Sequence, residues 1–122
     1  MDCKSDFGIG AGELSCVGVL AYVVDCTLAV DGDFSCVVSF NASGASLDFG
    51  AFTAQVAGAF LVDPRKVAGD CYFVCVDVDV GEGGVSFSLF DIKHGKLYGT
   101  FIGDTEGADV SDMSGSGKLS VS

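Results

Sequence analysis

The chain has 122 residues, enough for one domain, and almost half are apolar, which excludes a disordered acidic tail despite a net charge of −11. With only six lysines and arginines, it cannot form the cationic face that a nucleic-acid-binding protein needs, and docking to anionic lipid is disfavoured as well. No apolar stretch reaches the roughly 20 residues of a membrane-spanning helix.

Short runs of alternating apolar residues, separated by glycine-containing turns, follow a leader. Residues 1–13 are predicted to be a flexible leader, and 14–122 a single β domain. The Asp31-Gly32-Asp33 sequence predicts a hairpin turn, and 41–44 predicts another turn. The predicted strands are 14–24, 26–30, 34–40, 46–49, 52–60, 71–80, 85–89, 97–102 and a closing strand at 118–122.

Segment 71–80 has the clearest strand pattern. One face carries Tyr72, Val74 and Val76 and is predicted to point inward, together with Val78 and Val80. The other face changes from Cys71, Phe73 and Cys75 to two aspartates, which predicts a solvent-exposed end. The only short helix expected lies between 63 and 69, where Asp63 is suited to cap a helical turn that starts at Pro64.

About eight strands with short connections predict antiparallel pairing, because parallel pairing needs long crossovers. The fold class predicted is therefore all-β, as a compact antiparallel eight-stranded barrel, which leaves no exposed sheet edges. A two-sheet β-sandwich is the alternative.

No combination of residues matches a catalytic or metal-binding motif. The six cysteines lack a C-x-x-C pair and there is a single histidine, His94, so we expect no zinc site, no cofactor and mostly free, buried thiols. Two groups of acidic residues do not follow the spacing of a calcium-binding loop. They lie at 77, 79 and 82, and at 104, 106, 109 and 112. These observations predict a protein that is not an enzyme.

Two of the ten phenylalanines, Phe73 and Phe90, alternate away from the presumed interior. In a barrel they would face outward and form an apolar interaction patch with three valines of the first strand: Val17, Val19 and Val23. Exposed apolar patches of this kind mark contacts with proteins or membranes. An additional sheet or helix that covers them is the alternative.

Two stretches resemble the Vap family, the virulence-associated proteins of rhodococci. The first is VAGAFLVD at 56–63, a strand that ends at an acidic turn, and the second is LFDIKHGKLYGTFIG at 89–103. The glycine-serine-glycine at 115–117 is similar to the glycine-rich ends of that family. The chain differs from the family in its cysteines, in a turn at 92–95 that is one residue longer, and in the lack of a visible signal peptide.

The resemblance implies an eight-stranded antiparallel barrel with Greek-key character. It also implies a secreted protein that acts on a host protein or membrane through its outer surface, without catalytic residues to transfer. Because no signal peptide is visible, a cytoplasmic location is the alternative. The second functional hypothesis is a carrier of a small hydrophobic ligand, of lipocalin type, whose cavity is lined by the face that starts at Tyr72.

Overall fold

The computed structural model describes residues 8–18, 21–31, 35–45, 52–78, 84–105 and 113–122. It is an all-β structure in which eight antiparallel strands form a closed barrel, as the sequence predicts. The strands are β1 (Gly8–Gly18), β2 (Ala21–Asp31), β3 (Ser35–Ala45), β4 (Phe52–Phe60), β5 (Gly69–Val78), β6 (Gly84–Phe90), β7 (Leu97–Asp104) and β8 (Met113–Val121).

The barrel consists of two Greek keys. Around the barrel the strand order is β1-β2-β3-β8-β5-β6-β7-β4, and β4 closes the circle against β1. The first four strands therefore lie in the order 4-1-2-3, which defines a Greek key, and the last four repeat it as 8-5-6-7. The implied Greek-key character is confirmed.

The two Greek keys meet at two seams, β3–β8 and β4–β7. At the first seam residues 38–42 pair with 117–121, and at the second 55–60 pair with 99–104. A glycine lies at each contact: a Cβ atom at Gly117 would collide with the backbone oxygen of Asn41, and one at Gly58 with that of Thr100. These glycines allow the seams to close.

A single turn of 3₁₀ helix, Pro64–Lys66, lies between β4 and β5 at one end of the barrel. Asp63 caps this turn: its carboxylate accepts a hydrogen bond from the Arg65 backbone amide at 3.0 Å. It also accepts two bonds from the Arg65 guanidinium, at 3.0 and 2.9 Å. The predicted capped turn is confirmed.

Aromatic rings fill the middle of the barrel. Phe40, Phe73 and Phe87 form one cluster, with ring centroids 5.6 to 6.1 Å apart. Phe60 and Phe101 form a second contact, edge to face at 5.0 Å. All five side chains are at most 1% exposed. Burial of each such side chain contributes about 1.5–3 kcal/mol.

Several predicted strand boundaries were wrong. Residues 8–13, predicted as leader, form the first half of β1, and the single strand predicted at 14–24 is divided between β1 and β2. The turn predicted at 41–44 is absent, because β3 continues to Ala45 opposite β2. From 16 to 24 every residue is apolar or glycine, and this conceals the boundary between the two strands. The strand predicted at 46–49 lies outside the described residues.

The predicted inward face of β5 was also wrong. Cys71, Phe73 and Cys75 are fully buried, whereas Tyr72 is 38% exposed and Val74 lies on the outer face with it. The prediction assigned the face of Cys71, Phe73 and Cys75 to the outside because two aspartates follow on the same face. Asp77 has the same orientation as Phe73, but it lies at the end of the barrel opposite the 3₁₀ helix, where an inward position is exposed to solvent.

Candidate functional site

The face predicted to line a ligand cavity lies on the outside of the barrel. Tyr72, Val74 and Phe90 line a shallow outer groove of about 350 Å³ together with Asp91 and Ile92. The Tyr72 hydroxyl donates a hydrogen bond to the Ser114 hydroxyl oxygen across β5 and β8, at 3.1 Å. Phe73, between Tyr72 and Val74 in the sequence, points into the barrel, where it packs against Phe40 and Phe87. The arrangement does not favour the carrier hypothesis.

The structure does not bring the predicted interaction patch together. Phe73 is 0% exposed in the core, so its prediction as a surface residue was wrong. Phe90 is half-buried on the outer side of β6, and Val23 is 47% exposed on β2, with three strands between them. Val17 lies opposite Val23 in the β1–β2 register, and Val19 lies outside the described residues.

A larger apolar surface crosses the outer side of the barrel, and sequence alternation alone does not reveal it. Five exposed residues on five adjacent strands lie directly opposite one another in the strand registers. From β3 to β7, this outer apolar row comprises Val37, Ala29, Ala11, Ala57 and Ile102. With adjacent strands about 4.8 Å apart, the row is about 19 Å long when followed along the curved surface. Because β3 and β7 are four strands apart in a closed barrel of eight, the two ends of the row face different sides of the barrel.

Large side chains lie at both ends of the row and beside it. Val37 is 41% exposed at one end and Ile102 is 52% exposed at the other. Ile9, which is 55% exposed, lies one outward position from Ala11 and opposite Ala59. The three alanines between these side chains make the centre of the row low, so that a partner can approach the sheet closely.

Carboxylates border the outer apolar row. On one side, Glu13 and Asp104 are the next outward-facing residues after Ala11 and Ile102, and on the other side Asp31 follows Ala29. The five strands of the row contain no lysine or arginine. The described cations lie elsewhere: on the 3₁₀ turn, in the β6–β7 connection and on β8.

The described cysteines are all free thiols. Burial, together with the nearby Cys75 and Asp25, raises the pKa of Cys26 to about 12. Burial and the Asp70 charge likewise raise the pKa of Cys71 to about 12. Because the thiolate is the reactive form, these thiols are poor nucleophiles at neutral pH.

His94 lies in the turn between β6 and β7 and interacts with Asp91. Its Nδ1 atom is 2.8 Å from the Asp91 carboxylate, which also accepts hydrogen bonds from the backbone amides of His94 and Lys93. The hydrogen bond with His94 is the main cause of a lowered Asp91 pKa. The Asp91 main-chain oxygen accepts a bond from Gly95, so these contacts stabilise the predicted turn.

Within the described parts of the chain, no group of three or more histidine, cysteine or carboxylate side chains is arranged to hold a metal ion. Most of the two acidic segments considered for calcium lies outside those parts. The described residues also contain no helix long and apolar enough to cross a membrane.

Comparison with known proteins gives no relative: no family model, no curated protein and no solved structure matches the chain.

Proposed function

We propose that this chain is a non-enzymatic interaction protein of the Vap type, secreted and acting on a host protein or membrane through the outer surface of its barrel. The observation that carries the proposal is the contrast between a filled interior and the exposed outer apolar row. Phe40, Phe73 and Phe87 occupy the centre, while Ile102 and Val37 remain open to solvent.

The topology supports the Vap resemblance at the level of the fold. An eight-stranded antiparallel barrel of two Greek keys agrees with the architecture that the resemblance implies. The better of the two matching stretches, at 89–103, contains the end of β6, the turn closed by Asp91 and most of β7. That stretch includes Ile102, so the resemblance and the outer apolar row meet on β7.

The chemistry of the described side chains supports a function without catalysis. The thiols of Cys26 and Cys71 are buried and have raised pKa values, which makes them weak nucleophiles. The His94 ring faces Asp91, but the described cysteines other than Cys36 are buried in the barrel. The contacts of His94 with the Asp91 carboxylate lie within a single turn, which favours a structural role for this pair.

Binding of the fluorescently labelled protein to cultured host cells tests the proposal. The double variant Ile9→Ser/Ile102→Ser removes two large side chains at the outer apolar row. Ile92→Ser is the matched control, since Ile92 is 48% exposed but lies in the groove beside Phe90. We expect saturable binding that is about tenfold weaker in the double variant and unchanged in the control.

Equal binding by all three proteins, or no binding by any of them, would contradict a role for this surface. Secretion is tested separately, by quantifying the protein in the culture medium and in the cell pellet of the source organism. The proposal predicts the protein in the medium, and retention of all of it in the pellet would contradict secretion.

A further inference from the structure

We infer that the partner of the outer apolar row is a cationic amphipathic segment of a protein, such as a helix with apolar residues on one face and lysines or arginines on its flanks. The inference rests on the proposed outer-surface function and specifies the chemistry of the partner. It is carried by three properties of the row: its apolar character, its charged border and its size.

The charges around the row determine which charge its partner carries. Glu13, Asp31 and Asp104 are exposed and border the row, and Asp25 lies two outward positions from Ala29 on β2. No lysine or arginine on the same five strands offsets these carboxylates. A partner that buries its apolar face here therefore brings its flanking groups close to negative charge, which favours cations and disfavours anions.

The same charges disfavour two other occupants. A second copy of the chain would place a carboxylate border such as Glu13 and Asp104 against an identical border, and like charges across an interface are unfavourable. An anionic membrane would be repelled for the same reason.

The dimensions of the row favour a narrow segment over a broad globular surface. Five strands about 4.8 Å apart give a length of about 19 Å, and the row with its Ile9 neighbour is about 10 Å wide, or roughly 200 Å². A stable dimer buries about 800 Å² on each partner. A straight α-helix about 10 Å across can contact neighbouring strands of this convex surface, such as β1, β4 and β7, but not both ends of the row. One short helix therefore fits the part of the row formed by Ala11, Ala57 and Ile102, with Ile9 beside it.

Nitrogen–proton NMR titration with two designed peptides tests the inference. Both are 18-residue helical peptides with the same leucine face, one with lysines and the other with glutamates on the polar face. We expect the lysine peptide to shift the amide signals of Ala11, Ala57 and Ile102, with binding that weakens as salt is raised. The glutamate peptide should leave these signals unchanged.

Two charge-reversing variants separate local from overall charge. Glu13→Lys reverses a carboxylate beside the row, whereas Asp70→Lys makes the same change in net charge on β5, where Asp70 pairs with Lys118. The lysine peptide should bind Glu13→Lys about tenfold more weakly, and Asp70→Lys less than about twofold more weakly. Both side chains are exposed, so each variant should fold.

Three outcomes would overturn the inference. The first is equal weakening of lysine-peptide binding by both variants. The second is binding of the glutamate peptide or of phosphatidylcholine vesicles at the row in preference to the lysine peptide. The third is dimerisation, detected by sedimentation, through an interface that includes Ile102. None of these removes the proposed outer-surface function, because the host-cell binding of Ile9→Ser/Ile102→Ser tests that function without assuming a charge. Loss of host-cell binding in that variant with no preference for the lysine peptide would reject only the partner chemistry.

Discussion

The phenyl ring of Phe40 packs against the backbone of Gly117 on the neighbouring strand. A Cβ atom at residue 117 would lie 2.7 Å from Phe40 Cζ and 2.7 Å from the Ala42 Cβ atom, closer than side-chain carbons approach in proteins. This contact lies at the β3–β8 seam, and Phe40 is at the same time part of the central aromatic cluster. Packing of the core and closure of the barrel therefore depend on the same pair of residues.

Gly117→Ala should destabilise the protein by about 1–3 kcal/mol, because the added methyl group must displace Phe40 or the backbone of β3. Chemical denaturation followed by circular dichroism measures the change. Ser116→Ala is the control: residue 116 is exposed on the same strand, and the substitution should change stability by less than about 0.5 kcal/mol. Equal stability of both variants would show that the seam is not closely packed.

Phe73→Ala should lower the free energy of unfolding by about 3–5 kcal/mol, since it leaves a cavity beside Phe40 and Phe87. Tyr72→Ala, one residue earlier on β5, removes an exposed ring and should have a much smaller effect. Urea denaturation of the two variants compares the two faces of the strand directly. A larger loss for Tyr72→Ala would reverse the assignment of inner and outer faces.

The buried thiols should resist alkylation in the folded protein. With a pKa of about 12, Cys26 and Cys71 each have a thiolate fraction of about 10⁻⁴ at pH 8. Mass spectrometry after treatment with N-ethylmaleimide should show modification at the half-buried Cys36 before either residue. In denaturant all three should react at similar rates. Rapid modification of Cys26 in the folded state would contradict its burial.

Asp63→Asn should reduce stability at neutral pH more than at acid pH. Hydrogen bonds from Arg65 lower the pKa of Asp63 below its unfolded value of about 3.9. The ionised carboxylate therefore stabilises the fold above pH 4, and this contribution is lost as the pH falls through the lower, folded pKa.

Melting temperatures of the parent protein and Asp63→Asn between pH 7 and pH 2 measure this effect. The two curves should converge as the pH falls. Asp70→Asn is the control, because the Asp70–Lys118 ion pair is largely exposed and such pairs contribute little. A gap between the parent and Asp63→Asn that stays constant down to pH 2 would assign the effect to something other than the carboxylate charge.

The sequence predicts the architecture well because turn signals and alternation are local properties. Asp63 and Pro64 mark the 3₁₀ turn, and Val85, Phe87 and Leu89 alternate inward on β6 as predicted. Alternation does not identify the inner face of a strand when both faces are apolar. On β5, Tyr72 and Phe73 are equally suited to the core, and only the pairing of Phe73 with Leu89 shows which one lies inside, since paired residues share a face.

The outer apolar row could not be predicted for a related reason. Ala11, Ala29 and Ala57 are separated by 18 and 28 residues in the sequence. Ala11 and Ala29 meet through the β1–β2 pairing, and Ala57 joins them only because β4 crosses over to pair with β1. A single exposed alanine carries no signal, since scattered apolar residues are normal on protein surfaces. The row becomes visible once the strand registers are known. The predicted patch failed because Phe73 points into the core and because Phe90 and Val23 lie on strands with three others between them.

The most direct test of the central claim, that the barrel interior is filled and contacts are made outside, is NMR titration with a fatty acid such as dodecanoate. Aromatic side-chain signals of Phe40, Phe73 and Phe87 report on the interior, and the methyl signals of Ile102 report on the outer apolar row. We expect the three aromatic signals to stay unchanged up to millimolar ligand. A saturable shift of all three at micromolar ligand would show a cavity inside the barrel and would favour the carrier hypothesis.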